Sequence, residues 1–323
     1  MKVAIFKPRL DCMFKKGPVP DQVGPTPVER MPFQYFVDRV VEEYTFRGDE
    51  TMVIEKPLWQ MTPNDVQEIN ADITFIPHKE QHNFPCGDKK VLYYMQMVIP
   101  EYFSVNKTGW LAGASYAPLD PKDGDGYSDS LEILSKRSAN NQSKFKQPKR
   151  QFEKFPHRDY ILFPCQLPHD ETIRYHSDIS VEQALNCVIE YCELTNTKLI
   201  VKGHPINRPS METLKSLCGC SSVVHWCEDG SIFDYIEYAK VVCVVNSGTG
   251  FESILMKKPV VMFGRAEYDK VVNKANLTNF MDVIKDASYD ETQYRKFVNR
   301  WTNVMFNTYD ATSFRKLPSV SSY

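Results

Sequence analysis

Three runs in the second half of the chain hold residue types that handle anions. LIVKGHPINRP sets Lys202, Gly203, His204 and Pro205 directly after an apolar stretch, and imidazole and ammonium groups donate strongly to phosphate oxygens. About forty residues on, VVCVVNSGTGFESILMKKPVVMFG reads as buried strand, small polar turn, helix and strand. Asn246, Ser247, Gly248, Thr249 and Gly250 lie on that turn, so backbone N–H groups, hydroxyls and a helix amino terminus can cradle an anion without a P-loop. Glu252 follows in the first helical turn, either as a favourable helix-start charge or as an acceptor for ribose or base hydrogen bonds. The third run, FPCQLPHDETIRYHSD, places Gln166, His169, Asp170, Arg174 and His176 at a strand's exit. There, Asp170 either caps the next helical turn or presents a carboxylate to a ligand.

The pattern around these runs supplies the elements that position them. Apolar periodicity predicts strands over 160–163, 198–201, 222–226, 241–245 and 260–263, alternating with helices over 181–195, 211–218, 232–239 and 251–256. Alternation of this kind builds a parallel sheet whose ligands sit outside the carboxyl ends of the strands. The first half predicts a strand over 3–6, a helix over 32–44, and strands over 73–76 and 91–97, again as an α/β domain with a parallel sheet. From Glu291 onward, Tyr294, Phe297, Val298, Trp301, Val304 and Met305 recur at helical spacing. The expected architecture is α/β with two Rossmann-like domains, 1–118 and 159–290. A linker or surface excursion over 119–158 joins them, and a helical tail over 291–323 closes the chain.

Composition narrows the function. The chain has 323 residues, of which 42% are hydrophobic, enough for two cores, and its net charge of -2 argues against a dedicated nucleic-acid binder. Neither G-x-G-x-x-G nor G-x-x-x-x-G-K-[ST] occurs, so dehydrogenase and P-loop readings fall away. Asp123, Asp125, Gly126, Asp129 and Glu132 match later positions of an EF-hand loop, but Pro121 occupies the first. That stretch reads as a polar turn. The nine cysteines are scattered without a C-x-x-C pair, as thiols of a reducing compartment would be, and Cys218, Cys220, Cys227 and His225 lack the usual zinc spacing. No apolar run approaches a membrane span and no signal-peptide core opens the chain, so a soluble protein is expected. The basic stretch Lys136, Arg137, Lys144, Lys146, Lys149, Arg150, Lys154 and Arg158 is either a solvated linker or a patch for an anionic acceptor or lipid head groups.

At these residues the sequence resembles the capsule polysaccharide biosynthesis family, whose best-understood members are Kdo transferases. The likeness lies in the Q-x-x-x-D loop (Gln166, Asp170), the His204–Pro205 pair, and the S-x-T-G-F-E run ending at Glu252, followed by KPVVMFGRAEY. It covers about residues 160 to 270. A looser likeness around YYMQMVIPEYF and from Gly109 to Gly113 does not transfer acceptor specificity. The resemblance implies a GT-B type fold with a CMP-activated sugar held between the two domains. His204 and the Ser247/Thr249 turn would hold the phosphate of the CMP leaving group, with Lys202, Pro205, Asn246, Gly248, Gly250 and Glu252 around it. Gln166, Asp170 and His204 form the implied catalytic set, with Asp170 the nucleophile of a retaining reaction and no metal or resident cofactor required. Glu228, Asp229 and Gly230 imitate an acidic sialyltransferase motif, but they follow the His-Pro pair where that motif precedes it, and they are not carried over. The expectation is a cytoplasmic glycosyltransferase, at the inner face of the membrane, acting on a glycan or glycolipid acceptor. The alternatives are a catalytically silent scaffold and an enzyme using UDP- or GDP-sugars.

Overall fold

The structure is a computed structural model that describes residues 1–9, 27–115, 120, 129–151, 158–205 and 211–319. It divides into two units, Met1–Ala117 with Thr302–Tyr323, and Pro118–Trp301.

The first unit opens with β1 (Lys2–Pro8), α1 (Pro27–Phe46), β2 (Glu50–Lys56), α2 (Pro63–Gln67), β3 (Ile73–Pro77), β4 (Val91–Gln96) and β5 (Tyr102–Asn106). β1 pairs in parallel with β2 and β3, and β3 with β4. The sheet is mixed where the sequence predicted a parallel one, because β5 turns back antiparallel on β4. The 97–101 connection is too short for the crossover of a dozen or more residues that a parallel neighbour needs. Phe36 stacks on Tyr94 and Phe103 at ring separations of 4.7 and 4.6 Å, locking α1 onto the sheet. The two glycines of the 109–113 segment make room for Glu80, which is fully buried. A Cβ on Gly113 would stand 2.6 Å from Glu80 Oε1, and one on Gly109 would stand 2.9 Å from its Cγ. His82 Nδ1 lies 3.1 Å from Glu80 Oε2.

The second unit begins, among the described residues, with α3 (Ser130–Ala139), inside the stretch expected to be linker. Glu132 of α3 takes two hydrogen bonds from Arg295, at 2.7 and 2.5 Å, which commits this residue of the EF-hand near-match to an ion pair. Asp123, Asp125 and Gly126 lie outside the described residues. Then follow β6 (Tyr160–Pro164), α4 (Glu171–His176), α5 (Val181–Thr195), β7 (Leu199–Lys202), α6 (Glu212–Cys218), β8 (Val224–Cys227), α7 (Ile232–Tyr238), β9 (Ala239–Val244), α8 (Gly248–Leu255), β10 (Val260–Met262), β11 (Asn273–Lys274), α9 (Phe280–Lys285) and α10 (Glu291–Val304). A capping box between Ser180 and Gln183 starts α5, and Val181, Ala184, Leu185, Val188 and Cys192 form its buried stripe.

The sheet order is β11-β10-β9-β6-β7-β8, with every pairing parallel. From β6 the chain builds outward through β7 and β8, then returns to add β9 on the other side. β6 and β9 therefore flank the topological switch point. α10 packs Phe297 and Trp301 on Phe251 of α8, at 5.7 and 4.7 Å. The helix ends at Val304, short of the helical tail expected to run to the carboxyl terminus. β12 (Phe306–Asn307) then pairs antiparallel with β5 in the first sheet. Among the described residues no helix is long and apolar enough to cross a membrane, and no three His, Cys, Asp or Glu side chains gather to hold a metal.

Candidate functional site

Three neighbouring strands, β7, β6 and β9, bring the three anion-handling runs to one edge of the second sheet. Gln166 and Asn246 bridge the switch point. Gln166 Nε2 donates to Asn246 Oδ1, and the Asn246 backbone N–H donates to Gln166 Oε1, each at 2.9 Å. Asn246 Nδ2 also donates to the carbonyls of Thr172 at 2.8 Å and His176 at 3.4 Å, tying α4 to the same point. Both residues are buried. Their amides are turned to protein groups, so they position the loops, whereas the sequence had placed Gln166 in the chemistry and Asn246 on the anion. Asp170 caps α4: its Oδ1 accepts from the Thr172 backbone at 2.9 Å and from the Thr172 hydroxyl at 3.0 Å. The residue is half-buried, at the exit of the central strand.

Lys202 differs most from its expected place beside the phosphate. Its ammonium donates to the carbonyls of Glu228 at 2.7 Å and Gly203 at 3.2 Å, and the Gly203 N–H donates to the Cys227 carbonyl at 2.8 Å. Lys202 is buried and joins the ends of β7 and β8. His204 is half-buried, its ring edge-on to Phe145 at 5.9 Å, and Pro205 is exposed. Glu228 Oε1 accepts from Lys215 and from the Trp226 indole, each at 3.0 Å, a structural use in keeping with its exclusion.

Ser247 caps α8, its hydroxyl accepting the Thr249 N–H at 3.1 Å. Its carbonyl accepts from the Tyr268 hydroxyl at 2.6 Å. Gly250 permits that approach, since a Cβ there would stand 2.5 Å from the same hydroxyl. The groups this turn can offer an anion are the Gly248 N–H and the Ser247 and Thr249 hydroxyls, aligned with the positive end of α8.

Glu252 sits behind the turn, where burial pushes its carboxyl up to about 7, with a hydrogen bond to the Ser143 side chain and the charge of Arg137 pulling the other way. The folded protein then holds a proton that the unfolded chain releases near 4.5, the usual value. This contribution to stability is full below about 4.5 and is lost as pH rises through 7. Urea unfolding is expected to show Glu252→Gln gaining stability over wild type at pH 8 relative to pH 5. Equal pH slopes would contradict the buried carboxyl.

The segment 140–151 touches this site, although it carries none of the periodicity by which elements are read from sequence. Its anchors are polar. Asn141 Oδ1 accepts from the Ser231 hydroxyl at 2.6 Å, and Gln147 Oε1 accepts the Ile232 N–H at 2.9 Å. Arg150, expected on a solvated or lipid-facing patch, turns its side chain inward, leaving 8% of it exposed. It donates to Asp234 at 2.9 Å and to the carbonyls of Ser138 and Phe233 at 3.1 and 3.2 Å. Lys136, Lys146 and Lys149 remain exposed.

Fold and site define a two-unit α/β protein whose polar runs gather at a Rossmann-type switch point of the second sheet. Residues 122–285 match the model of the capsule polysaccharide biosynthesis proteins, half of the chain, and the protein belongs to that family. A stretch of 120 residues is 28% identical to the capsule polysaccharide export protein KpsS of Escherichia coli, covering 34% of this chain and 31% of that relative. The match thus spans about a third of the curated relative's length. Among solved structures, the β-Kdo 2,7 transferase of Thermosulfurimonas dismutans KpsC shares the fold, with a TM-score of 0.50 and 15% identity over 93% of this chain and 90% of that one. The β-Kdo 2,4 transferase of the same KpsC superposes with a TM-score of 0.48 and 14% identity over 81% of this chain and 87% of that chain.

Proposed function

We propose that this protein is a glycosyltransferase of capsule-type glycan assembly that takes a nucleotide-activated sugar, a CMP-linked acidic sugar such as Kdo, and passes it to a glycan or glycolipid acceptor. The observation that supports it is the convergence of Asp170, His204 and the Ser247/Thr249 turn on three adjacent parallel strand ends. In this reading the turn, the α8 amino terminus and His204 take up the charge of the departing phosphate, as a metal does in other transferases. The Asp170 carboxylate attacks the anomeric carbon as its bond to the CMP oxygen breaks, giving a glycosyl-aspartate and free CMP. An acceptor hydroxyl then displaces Asp170, losing its proton to a base. The reading carries with it a cytoplasmic location and an acceptor at the inner face of the membrane, where the exposed Lys136, Lys146 and Lys149 offer positive charge.

A thermal-shift panel tests it, because a ligand at a hundredfold excess over Kd stabilises by about 2.7 kcal/mol. CMP is expected to stabilise more than UDP or GDP, and His204→Ala to weaken CMP binding by about tenfold or more without unfolding, the value of a charged hydrogen bond. A UDP or GDP preference would change the donor. No response to any of the three would contradict the reading and favour a catalytically silent scaffold.

A further inference from the structure

Between its anchors at Asn141 and Arg150, the 140–151 segment sends three consecutive side chains to three separate parts of the site. Ser143 hydrogen-bonds Glu252 on α8. Lys144 lies in the field of Asp170, after β6. Phe145 meets the His204 ring, after β7, at 5.9 Å. The segment is therefore a strap running across the carboxyl ends of the sheet. An anion bound at the Ser247/Thr249 turn would share these strand ends with the Asp170 carboxylate, whereas Glu252 keeps its proton up to about pH 7, and a cation is needed to offset Asp170. Lys202 does not provide it, since its ammonium is given to the carbonyls of Gly203 and Glu228.

We propose that Lys144 is a phosphate-binding residue of the nucleotide-donor site and that the strap carrying it forms a wall of that site. The proposal rests on the donor reading above. Lys144 is half-buried, and that burial holds its ammonium below the usual lysine value, with Asp170 opposing, so part of its hydration is already removed before a ligand arrives. An ammonium in that state gains more from a phosphate oxygen than a solvated surface lysine would. Without donor, Asp170 is its counter-charge. With donor, the same ammonium faces both the phosphate and the carboxylate, at the place where the sugar–phosphate bond would break.

Calorimetric titration of the full chain with CMP tests this, with cytidine as the probe that lacks the phosphate. Lys144→Met is expected to raise the Kd for CMP by about tenfold or more, Lys144→Arg to raise it less, and Lys198→Met, a change at an exposed residue before the amino end of β7, to leave it unchanged. Cytidine binding is expected to be the same in wild type and Lys144→Met. Should the methionine variant fail to fold, Lys144→Gln reads the same loss. CMP affinity in Lys144→Met equal to wild type overturns the proposal while leaving the donor reading intact, and so does an equal loss of CMP and cytidine, which would make the strap a scaffold only. A wild-type protein that binds none of CMP, UDP and GDP overturns the donor reading, and this proposal with it.

Discussion

Asp170→Asn is expected to lower kcat for sugar transfer at least a hundredfold, about 2.7 kcal/mol of barrier, while the melting temperature stays near wild type and CMP binds no more weakly. The structure makes this substitution unusually discriminating. Asp170 does cap α4, through one carboxylate oxygen that accepts from the backbone and the hydroxyl of Thr172. Asparagine is as good an amino-terminal cap as aspartate and keeps an oxygen where those donors need it. What it lacks is nucleophilicity and charge, so a purely structural Asp170 predicts an active variant and a nucleophilic one predicts a stable, dead enzyme. Retention of more than about a tenth of wild-type kcat would remove Asp170 from the chemistry. The nucleophile or base would then be sought in the first unit, where Glu101 stands at the β4–β5 connection with its backbone carbonyl accepting the Thr308 N–H at 2.9 Å.

Arg150→Met is expected to destabilise the protein by about 3 to 5 kcal/mol, the cost of orphaning one member of a buried ion pair. Asp234 is 1% exposed and its Oδ1 takes a 2.9 Å hydrogen bond from the guanidinium. Its other oxygen accepts the Gln151 N–H at 2.8 Å, a contact that survives the substitution but cannot neutralise the charge. Adding Asp234→Asn removes the orphaned charge and is expected to recover part of the loss, as urea unfolding of the two variants would show. A single-variant cost below about 1 kcal/mol would mean that the pair behaves as a solvated one and that the 140–151 strap is held by its other contacts alone.

These two residues mark where sequence reasoning reached and where it stopped. The centre of the second sheet was legible because β6, β7 and β10 are buried throughout and β9 is buried save for Lys240, and because α5 carries both a capping box and an apolar stripe. The 232–239 helix was legible from Ser231, whose hydroxyl does accept the Phe233 N–H at 3.2 Å. In the first unit β2 was not, since ETMVIEK lies at the sheet edge, half exposed and ringed with charge. The antiparallel β5 and β12 needed a tertiary partner, as Phe103 and Phe306 meet across 203 positions of chain only once the fold closes. In the site, the residue types were visible while their directions were not. Gln166 and Asn246 look reactive on a polar loop, and only the closed sheet shows that they bond each other. Lys202 stands two positions from His204 in sequence, but a four-carbon stem can swing to either side, and here it turns to carbonyls. Lys144, inside a stretch almost free of aliphatics, carried no signal beyond its charge.

In the proposed reaction the carboxyl edge of the second sheet holds the phosphate of a nucleotide donor. A crystal structure of the wild-type protein with CMP tests it most directly. The phosphate is expected at the amino terminus of α8, within hydrogen-bonding distance of His204 and of the Ser247 and Thr249 hydroxyls, with Asp170 beside it. CMP bound elsewhere, or seated here with its phosphate turned away from His204 and the Ser247/Thr249 turn, would contradict it.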